Sequence, residues 1–536
     1  MTKDSSHLWW QTGVIYQIYP RSYQDSNADG IGDLPGILQR LDYLSETLGV
    51  NAIWLSPFYP SPMADFGYDV ADYQDVDPLF GTLADFDRLV TEVHRRNMHL
   101  IIDFVPNHSS DQHPWFLEAR SSRQNPKRDW YVWSDPKPDG WPPNNWLGHF
   151  GGLAWEWDDQ TAQYYLHSFL KEQPDLNWRN PEVKEAMFDV LRFWMERGVD
   201  GFRLDVAHYI MKDPDLRDNP LKAELGEIAY ENQIHLYDKG HPDVHGIFRE
   251  LRAVLDAYSQ DRPRYSVGEI HIFDWKEWCS YYGSNLDELH MPFNFSLMQA
   301  PWNPKALRRV VDALERELPE GAWPNYVLGN HDELRLASRY GKEQVRVAAL
   351  LLLTLRGTPT LYQGDELGME NVPIPPEKEQ DPYGIRVPGK GRDPARTPMQ
   401  WNDSPNAGFS DPQVTELWLP LSPDYRQCNV QSELDDPDSV LNLYRRLIAF
   451  RKSSPALQWG SYQAVEDVPD TCYAYFRAAQ DQRLLVAMNF SGQPVELSLS
   501  GSTLGQIQIS TLLDRDGLVA LDRLGLRPHE GVVIQL

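Results

Sequence analysis

Eight short apolar segments recur along the chain, and they constrain its fold more than any other feature of the sequence. Most are continuously apolar rather than alternating, which is typical of parallel strands that are covered on both faces. Helical patterns separate them, among them 84–96, 181–197, 247–259, 304–318 and 342–355. Strand–helix alternation of this kind predicts the α/β class and a (β/α)8 TIM barrel. The predicted strands are 14–20, 52–57, 100–106, 201–207, 265–270, 290–295, 326–331 and 358–364.

Two parts of the chain do not fit the barrel pattern. The segment between the third and fourth predicted strands is far longer than a crossover helix needs, and its first part is rich in Trp, Pro, Asn and Gly. From Trp459 onward, short strand patterns and Gly turns predict a small all-β domain. We therefore expect a first barrel part at 1–104, an inserted subdomain at 105–177, a second barrel part at 178–458 and a C-terminal β-sandwich at 459–536.

Acidic residues end three of the apolar segments: Asp205, Glu269 and Asp332. A single acid at a strand end is more often structural than catalytic. Three of them on successive strands of a barrel would meet at its C-terminal face, where such barrels keep their chemistry. Cleavage of a glycosidic bond requires two carboxylates that converge on one pocket. The pattern therefore predicts a retaining glycosidase.

Six motifs carry a resemblance to a known family. The chain resembles the α-glucosidases of glycoside hydrolase family 13, the α-amylase family, over essentially its whole length. It is most similar to the bacterial α-glucosidase and oligo-1,6-glucosidase branch of that family. Each motif is weak alone, and their joint order along the chain is specific. The motifs lie at 103–108, 173–177, 201–205, 268–269, 330–332 and 357–366.

The resemblance implies a role for each of the acids. Asp205 resembles the nucleophile, which forms a β-glucosyl ester, and Glu269 resembles the general acid–base. Arg203 lies two residues before Asp205, so the two side chains face the same side of the strand. We expect this guanidinium to lower the pKa of Asp205. A general acid must hold a proton near neutral pH, so we expect a raised pKa for Glu269.

The resemblance also implies residues that bind the sugar. Asp332 resembles the third carboxylate, which grips the sugar hydroxyls as the ring flattens. His108 and His331 look like hydrogen-bond donors to the same glucose unit, and Tyr68 would form its stacking platform. Taken one at a time, a buried histidine is usually a satisfied core residue. The substrate predicted from these residues is a small oligosaccharide.

Two further residues would close the far end of the pocket. Asp65 resembles the residue that binds hydroxyls there, although an Asp at this place could also cap a turn. Arg396 would pair with Asp65, but Arg392 is close by in the sequence and leaves that pairing open. A closed end favours exo action, which releases one terminal glucose, over the open groove that an endo-acting amylase needs.

The segment 25–33 resembles the start of a calcium loop, with alternating oxygen-bearing side chains around a Gly turn. Its twelfth position is Gly36, so no Glu closes an EF-hand. The family branch implies a structural Ca²⁺ or Mg²⁺, and no organic cofactor. A simple Asp/Asn turn is the alternative. The implied ligands are Asp25, Asn27, Asp29, Asp33 and the carbonyl of Ile31.

Val206 directly follows the predicted nucleophile. Family members that act on α-1,6 bonds tend to carry Val here, and strict α-1,4 enzymes carry Thr or a smaller residue. We therefore predict cleavage of isomaltose-type bonds with some α-1,4 activity. Plain strand packing of a β-branched residue is the alternative explanation.

The catalytic residues leave two other readings of the function open. A glucosyltransferase, or an isomerase of trehalose or sucrose, uses the same double displacement. The isomaltulose-forming relatives carry an Arg-Leu-Asp-Arg-Asp loop, which the stretch 333–339 lacks. A non-enzymatic, transporter-associated scaffold would be expected to have lost the acids and to carry a membrane anchor.

The charge of the chain excludes one class of partner. Its formal net charge is −28, whereas nucleic acid recruits basic patches. The longest apolar run, 348–355, is too short to span a membrane, and the N-terminus shows no apolar signal core. We therefore expect a cytoplasmic enzyme without nucleic-acid or membrane partners; its oligomeric state stays open.

Overall fold

The computed structural model describes residues 7–222, 230–499 and 504–536. Within these ranges, eight parallel strands form one sheet in the order β7-β8-β1-β2-β3-β4-β5-β6. Strands β1 to β6 pair in sequence order, and β8 pairs with both β7 and β1. The predicted (β/α)8 barrel is confirmed, and the strands stop short of the predicted ends. The strands are β1 Ile15–Ile18, β2 Ala52–Leu55, β3 His99–Phe104, β4 Gly201–Leu204, β5 Tyr265–Glu269, β6 Met291–Phe293, β7 Asn325–Val327 and β8 Thr358–Tyr362.

A side chain joins β6 to β7, where the backbone ladder is interrupted. Pro292, in the middle of β6, has no N–H to offer a neighbouring strand. The amide of Asn325 replaces the ladder: its Nδ2 donates to the Pro292 carbonyl at 2.5 Å, and its Oδ1 accepts the Asn294 N–H at 2.9 Å. The two hydrogen bonds connect the first and last strands of the sheet.

Helices with polar N-caps cover the outside of the barrel. Thr82 caps the helix Leu83–Arg95, which buries Phe86, Leu89 and Val93 on one face. The five predicted helices are present within a few residues of their expected ends. The α-helices are Trp9–Thr12, Leu34–Gln39, Leu83–Arg95, Pro114–Ser121, Pro181–Glu196, Val244–Ala257, Trp275–Ser280, Ser296–Gln299, Pro304–Glu317, Leu336–Tyr340, Val345–Thr354, Pro382–Arg386, Val430–Asp435, Val440–Ser453 and Pro455–Gln458.

Shorter helical segments join these elements. A π-helical turn spans Tyr43–Leu48. The 3₁₀ turns are Pro20–Ser22, Arg128–Trp130, Ala207–Tyr209, Tyr230–Asn232, Lys342–Gln344, Asp365–Leu367, Pro376–Lys378, Asp393–Ala395 and Pro405–Gly408.

An inserted subdomain lies between β3 and β4, as the sequence predicted. It contains an antiparallel sheet of three strands, Trp133–Ser134, Trp155–Asp158 and Gln163–Leu166. Isolated bridges pair His108 with Asp175 and Tyr131 with Leu176, so both ends of the insertion return to the same place. These bridges hold His108, at the end of the motif 103–108, against the end of the insertion.

The C-terminal part is an all-β domain, as predicted. A six-stranded antiparallel sheet faces a two-stranded one, and buried aliphatic side chains from both sheets form a common core. The large sheet contains Ser461–Ala464, Cys472–Ala479, Gln482–Asn489, Leu504–Ser510, Gly517–Ala520 and Gly531–Gln535, and the small one Val495–Leu497 and Leu524–Leu526. Across the described ranges, no helix combines the length and the apolar character that a membrane crossing requires.

Candidate active site

Arg203 lies at the centre of a buried cluster at the C-terminal ends of β3, β4 and β5. Its Nη1 donates to Asp103 at 2.8 Å and to Asp205 at 2.7 Å, and its Nη2 donates to Glu269 at 2.6 Å. The Arg203 side chain is only 1% exposed. One guanidinium therefore binds three carboxylates from three neighbouring strands, and this brings the predicted nucleophile and the predicted acid–base together.

Asp103 also belongs to this cluster, and the sequence analysis assigned it no role. Tyr68 and Trp54 donate to its second oxygen at 3.2 and 3.3 Å. Burial raises the pKa of Asp103 to about 6, against the opposing pull of Arg203. Its place as the first residue of the motif 103–108 was the available signal.

The structure reverses both predicted pKa shifts. Burial raises the pKa of Asp205 well above the usual range against the opposing charge of Arg203, and the nearby Glu269 and Asp103 add to the rise. Burial alone would also raise the pKa of Glu269, but Arg203, His271 and the Val206 N–H outweigh it and hold that pKa well below the usual range. The prediction was wrong because it counted one partner for each acid.

Val206, which directly follows Asp205, forms a strained turn beside Glu269. Its φ of 35° and ψ of 45° lie in the left-handed region, which β-branched residues rarely adopt. In this conformation its N–H donates to Oε2 of Glu269 at 3.0 Å. The side chain packs with Phe150, Phe169 and Tyr209 rather than inside a strand, since β4 ends at Leu204. Strand packing is therefore the wrong explanation for Val206.

Asp332 is held by two arginines and a histidine. Its Oδ1 accepts from Arg392 at 3.1 Å and from Arg396 at 2.9 Å, and its Oδ2 lies 3.2 Å from Nε2 of His331. Burial would raise the pKa of Asp332, but His331 and the two arginines hold it well below the usual range. Asp332 therefore stays ionised, as a carboxylate that stabilises positive charge must.

His331 and Tyr68 form one unit beside Asp332. Their rings are parallel within 4°, and the Tyr68 hydroxyl lies 2.6 Å from Nε2 of His331. Burial lowers the pKa of His331 to about 3, so the ring is neutral at ordinary pH. The role of Tyr68 as a stacking platform for the sugar stays a prediction.

Arg392, and not Arg396, pairs with Asp65. Nη2 of Arg392 donates to Asp65 at 2.8 Å and to Asp381 at 2.7 Å, and its Nη1 donates to Asp332. Arg396 instead donates to the carbonyl of His331 at 2.7 Å and to Asp332. The pairing predicted for Arg396 was wrong, because two arginines of one loop cannot be told apart without the fold. Arg392 thus bridges the third carboxylate and the predicted blind end.

Gln173 joins the remaining predicted binding residues, and sequence reasoning gave it no role of its own. Its amide Nε2 donates to Asp65 at 3.2 Å and lies 3.1 Å from Nε2 of His108. Burial lowers the pKa of His108 to about 4, so this histidine is also neutral. The available signal was the position of Gln173 at the start of a recognised motif in the insertion.

The loop 25–33 is held by hydrogen bonds within itself and to Ser410. The carboxylate of Asp33 caps the helix Leu34–Gln39 through the Gly36 N–H at 2.6 Å, and Asp29 accepts from the Ile31 N–H at 2.8 Å. Asp25 accepts from the N–H groups of Asn27, Ala28 and Gly30 and from the Ser410 hydroxyl.

Three of the predicted metal ligands, Asp25, Asp29 and Asp33, are therefore engaged with N–H and O–H donors. Among the described residues, no group of three or more His, Cys, Asp or Glu side chains is arranged to hold a metal ion. The geometry as it stands fits a hydrogen-bonded turn, and a cation would have to displace some of these donors. The metal site stays a prediction.

Comparison with known proteins agrees with the site. Residues 17–460 match the family model of the α-amylase catalytic domain. The chain belongs to the α-amylase family, glycoside hydrolase family 13. Residues 462–527 of this family member match the model of the C-terminal domain of maltogenic amylase. The chain is thus a glycoside hydrolase.

Similar proteins cover nearly the whole chain. A probable α-glucosidase of Rhizobium meliloti is 44% identical, with 95% of each chain covered. An oligo-1,6-glucosidase of Parageobacillus thermoglucosidasius is 39% identical, with 99% of each covered. Among solved structures, the α-glucosyl transfer enzyme XgtA is 43% identical with a TM-score of 0.92. The match covers 99% of this chain and 100% of the XgtA chain. The trehalulose synthase MutB of Pseudomonas mesoacidophila is 36% identical with a TM-score of 0.89, with the same coverage.

Proposed function

We propose that this family member is a retaining, exo-acting α-glucosidase that releases terminal α-D-glucose from short α-glucosides. The observation that carries the proposal is the pair Asp205 and Glu269, both bound to Arg203. One guanidinium holds the two carboxylates close together. This favours the retaining arrangement, with carboxyl groups about 5–5.5 Å apart, over the inverting one at about 6.5–9.5 Å.

The reaction proceeds in two displacements. Asp205 attacks the anomeric carbon while Glu269 gives its proton to the glycosidic oxygen, so the bond to the leaving sugar breaks and a β-glucosyl ester forms. Glu269 then takes a proton from water, and the water oxygen displaces Asp205. Two inversions return the α configuration. Arg203 stabilises the ionised partner in each half of the reaction.

The bridge formed by Arg392 supports exo action. It ties Asp65 and Asp332 together, with Asp381 behind it, and its guanidinium lies 5.2 Å from the ring centre of Phe150. A bridge between the third carboxylate and Asp65 leaves room for one sugar unit and closes the groove beyond it. We infer that the enzyme binds a chain end rather than the middle of a glucan.

Glucosyl transfer is the second candidate function, and one observation favours it. Aromatic side chains of Phe150, Phe169 and Tyr209 surround Val206 next to the acid–base. An apolar wall at this place favours the ring face of an acceptor sugar over water. The solved structure named as an α-glucosyl transfer enzyme is among the similar proteins.

Product analysis tests the proposed function. Maltose and isomaltose are each supplied at low and high concentration, and the products are separated by chromatography. Glucose from both sugars supports the α-glucosidase, and new trisaccharides at high concentration support transfer. Products of rearranged linkage without free glucose would favour an isomerase instead. No glucose from either sugar would contradict the proposal.

Replacing Val206 should change the linkage preference. Val206→Ala removes two methyl groups from the leaving-group side and should raise the maltose-to-isomaltose ratio of kcat/KM by about tenfold, since a missing methyl or methylene in an apolar pocket changes discrimination by 10–200-fold. Val206→Thr, which keeps the shape, should move the ratio less. Equal kcat/KM ratios for the wild type and both variants would remove Val206 as a linkage determinant.

We propose further that the loop 25–33 binds Ca²⁺ or Mg²⁺ as a structural ion. The support is the resemblance and the four oxygen-bearing side chains of Asp25, Asn27, Asp29 and Asp33 in one short turn. Chelation should lower the melting temperature by a few degrees, because a bound ion at 100 times its Kd adds about 2.7 kcal/mol. Asp29→Asn, which keeps the acceptor for Ile31, should melt alike with and without chelator. An unchanged melting curve of the metal-free wild type would contradict the site.

A further inference from the structure

Glu269 has a partner on each of its two oxygens, and the partners differ in kind. Oε2 accepts from two fixed donors, the guanidinium of Arg203 and the strained N–H of Val206. Oε1 lies 2.7 Å from Nε2 of His271, which follows it by two residues at the end of β5. Because neither donor on Oε2 can give up its proton at ordinary pH, Oε1 is the oxygen that must carry the catalytic proton.

His271 is held so that one edge meets Glu269 and the other meets solvent. Its ring stacks on Phe295 at 4.7 Å and 7°, and Phe295 stacks in turn on Phe293 of β6. The side chain is 38% exposed. Within the described part of the chain, Nδ1 has no hydrogen-bond partner. The ring therefore connects the buried Oε1 to water at the mouth of the pocket.

We propose that His271 is a positioning residue that orients Oε1 of Glu269 and loads it with a proton from solvent. A hydronium proton bonds to Nδ1 while the Nε2–H bond breaks and the Oε1–H bond forms, so the ring changes tautomer. When Glu269 returns a proton to solvent, the three changes run in reverse and the ring regains its first tautomer. The proposal rests on the proposed function, because it names the proton supply of the same acid–base.

This role concerns how Glu269 gains a proton that its surroundings oppose. Arg203, His271 and the Val206 N–H hold the pKa of Glu269 well below the usual range. The first displacement needs Glu269 protonated. The chargeable groups that face His271 from the surrounding segments are Glu269, His208, His149 and Glu333. His208 is fully buried, and the pKa values of His208 and His149 lie below the usual range, so His271 is the exposed ring on this path.

Two substrates of different leaving group test the role. Maltose needs a protonated Glu269 to lose its second sugar, whereas 2,4-dinitrophenyl α-glucoside loses its phenolate without a proton. In His271→Asn, which keeps an N–H donor but relays no proton, kcat/KM for maltose should fall about ten- to a hundredfold. The ratio of kcat/KM for maltose to kcat/KM for 2,4-dinitrophenyl α-glucoside should fall at least about tenfold. The alkaline limb of the pH profile of kcat/KM for maltose should shift by at least about half a pH unit.

A second histidine provides the matched control. His245 also lies 2.7 Å from a glutamate, Glu288, but on the helix Val244–Ala257. His245→Asn should leave the ratio and the pH profile as in the wild type. His271→Phe, which keeps the stacking on Phe295, serves as a second variant if His271→Asn melts early. An equal fall for both substrates with an unchanged pH profile would overturn the proposal, as would no fall at all. Wild-type protein inactive on both substrates would instead contradict the proposed function.

Discussion

Replacing Asp205 by Asn is expected to reduce kcat on maltose by about 10⁴- to 10⁶-fold, a loss of the size seen when a nucleophile is removed. Asn has nearly the same shape but is a much weaker nucleophile. It also still accepts a hydrogen bond, so Nη1 of Arg203 keeps a partner at this place. The fold should therefore persist. The measurement is the steady-state rate of glucose release, with the melting temperature recorded beside it.

Asp103→Asn is the control for this loss. Asp103 binds the same Nη1 of Arg203 but lies on β3. Its replacement removes a buried charge without removing the attacking atom, so kcat should fall by far less than in Asp205→Asn. Equal losses in the two variants would mean that the charge of the cluster, and not attack by Asp205, carries the reaction.

Replacing Arg203 is expected to have the largest effect on stability. Arg203→Met leaves three buried carboxylates without their common partner, which should cost about 3–5 kcal/mol of unfolding free energy at pH 7. Arg203→Lys keeps the charge, but a single ammonium cannot reproduce the planar fork that reaches three acids. We expect the Lys variant to fold better than the Met variant and to lose at least about 100-fold in kcat.

The stability loss should also depend on pH in a defined direction. Without Arg203, burial raises the pKa values of the three acids in the folded state. An acid whose pKa is raised in the folded state stabilises the fold at low pH. This contribution is lost as the pH rises through the raised pKa. The deficit of Arg203→Met should therefore be smaller at pH 5 than at pH 8 in chemical denaturation. Arg197→Met removes an exposed pair with Asp87 and should cost less than about 1 kcal/mol at either pH. A deficit that does not vary with pH would contradict the buried cluster.

The strands could be predicted from the sequence, because a buried parallel strand is a continuous apolar run. Their ends could not. The segment 201–207 was predicted as one strand, yet β4 stops at Leu204 and Val206 turns into the left-handed region. In that turn the Val206 N–H donates to Glu269, which is far away in sequence. Hydrophobicity carries no information about such a contact.

The three acids of the predicted site could be proposed from the sequence, but their partners could not. The acids were identified because each ends a strand, and strand ends of a barrel meet in space. Which arginine binds Asp65 depends on how the loop containing Arg392 and Arg396 folds over the barrel. The pKa shifts depend on Arg203 serving three carboxylates at once, and His271 became visible only through its distance to Glu269.

Azide rescue tests the central claim, that Asp205 is the nucleophile and Glu269 the acid–base of a double displacement. Asp205→Gly and Glu269→Ala are each supplied with azide and 4-nitrophenyl α-glucoside, and the anomer of the glucosyl azide is read by NMR. Azide in the space left by Asp205 attacks once, so we expect the β-azide. In Glu269→Ala it attacks the β-glucosyl ester, so we expect the α-azide. The α-azide from Asp205→Gly with the β-azide from Glu269→Ala, or the same anomer from both variants, would contradict the assignment.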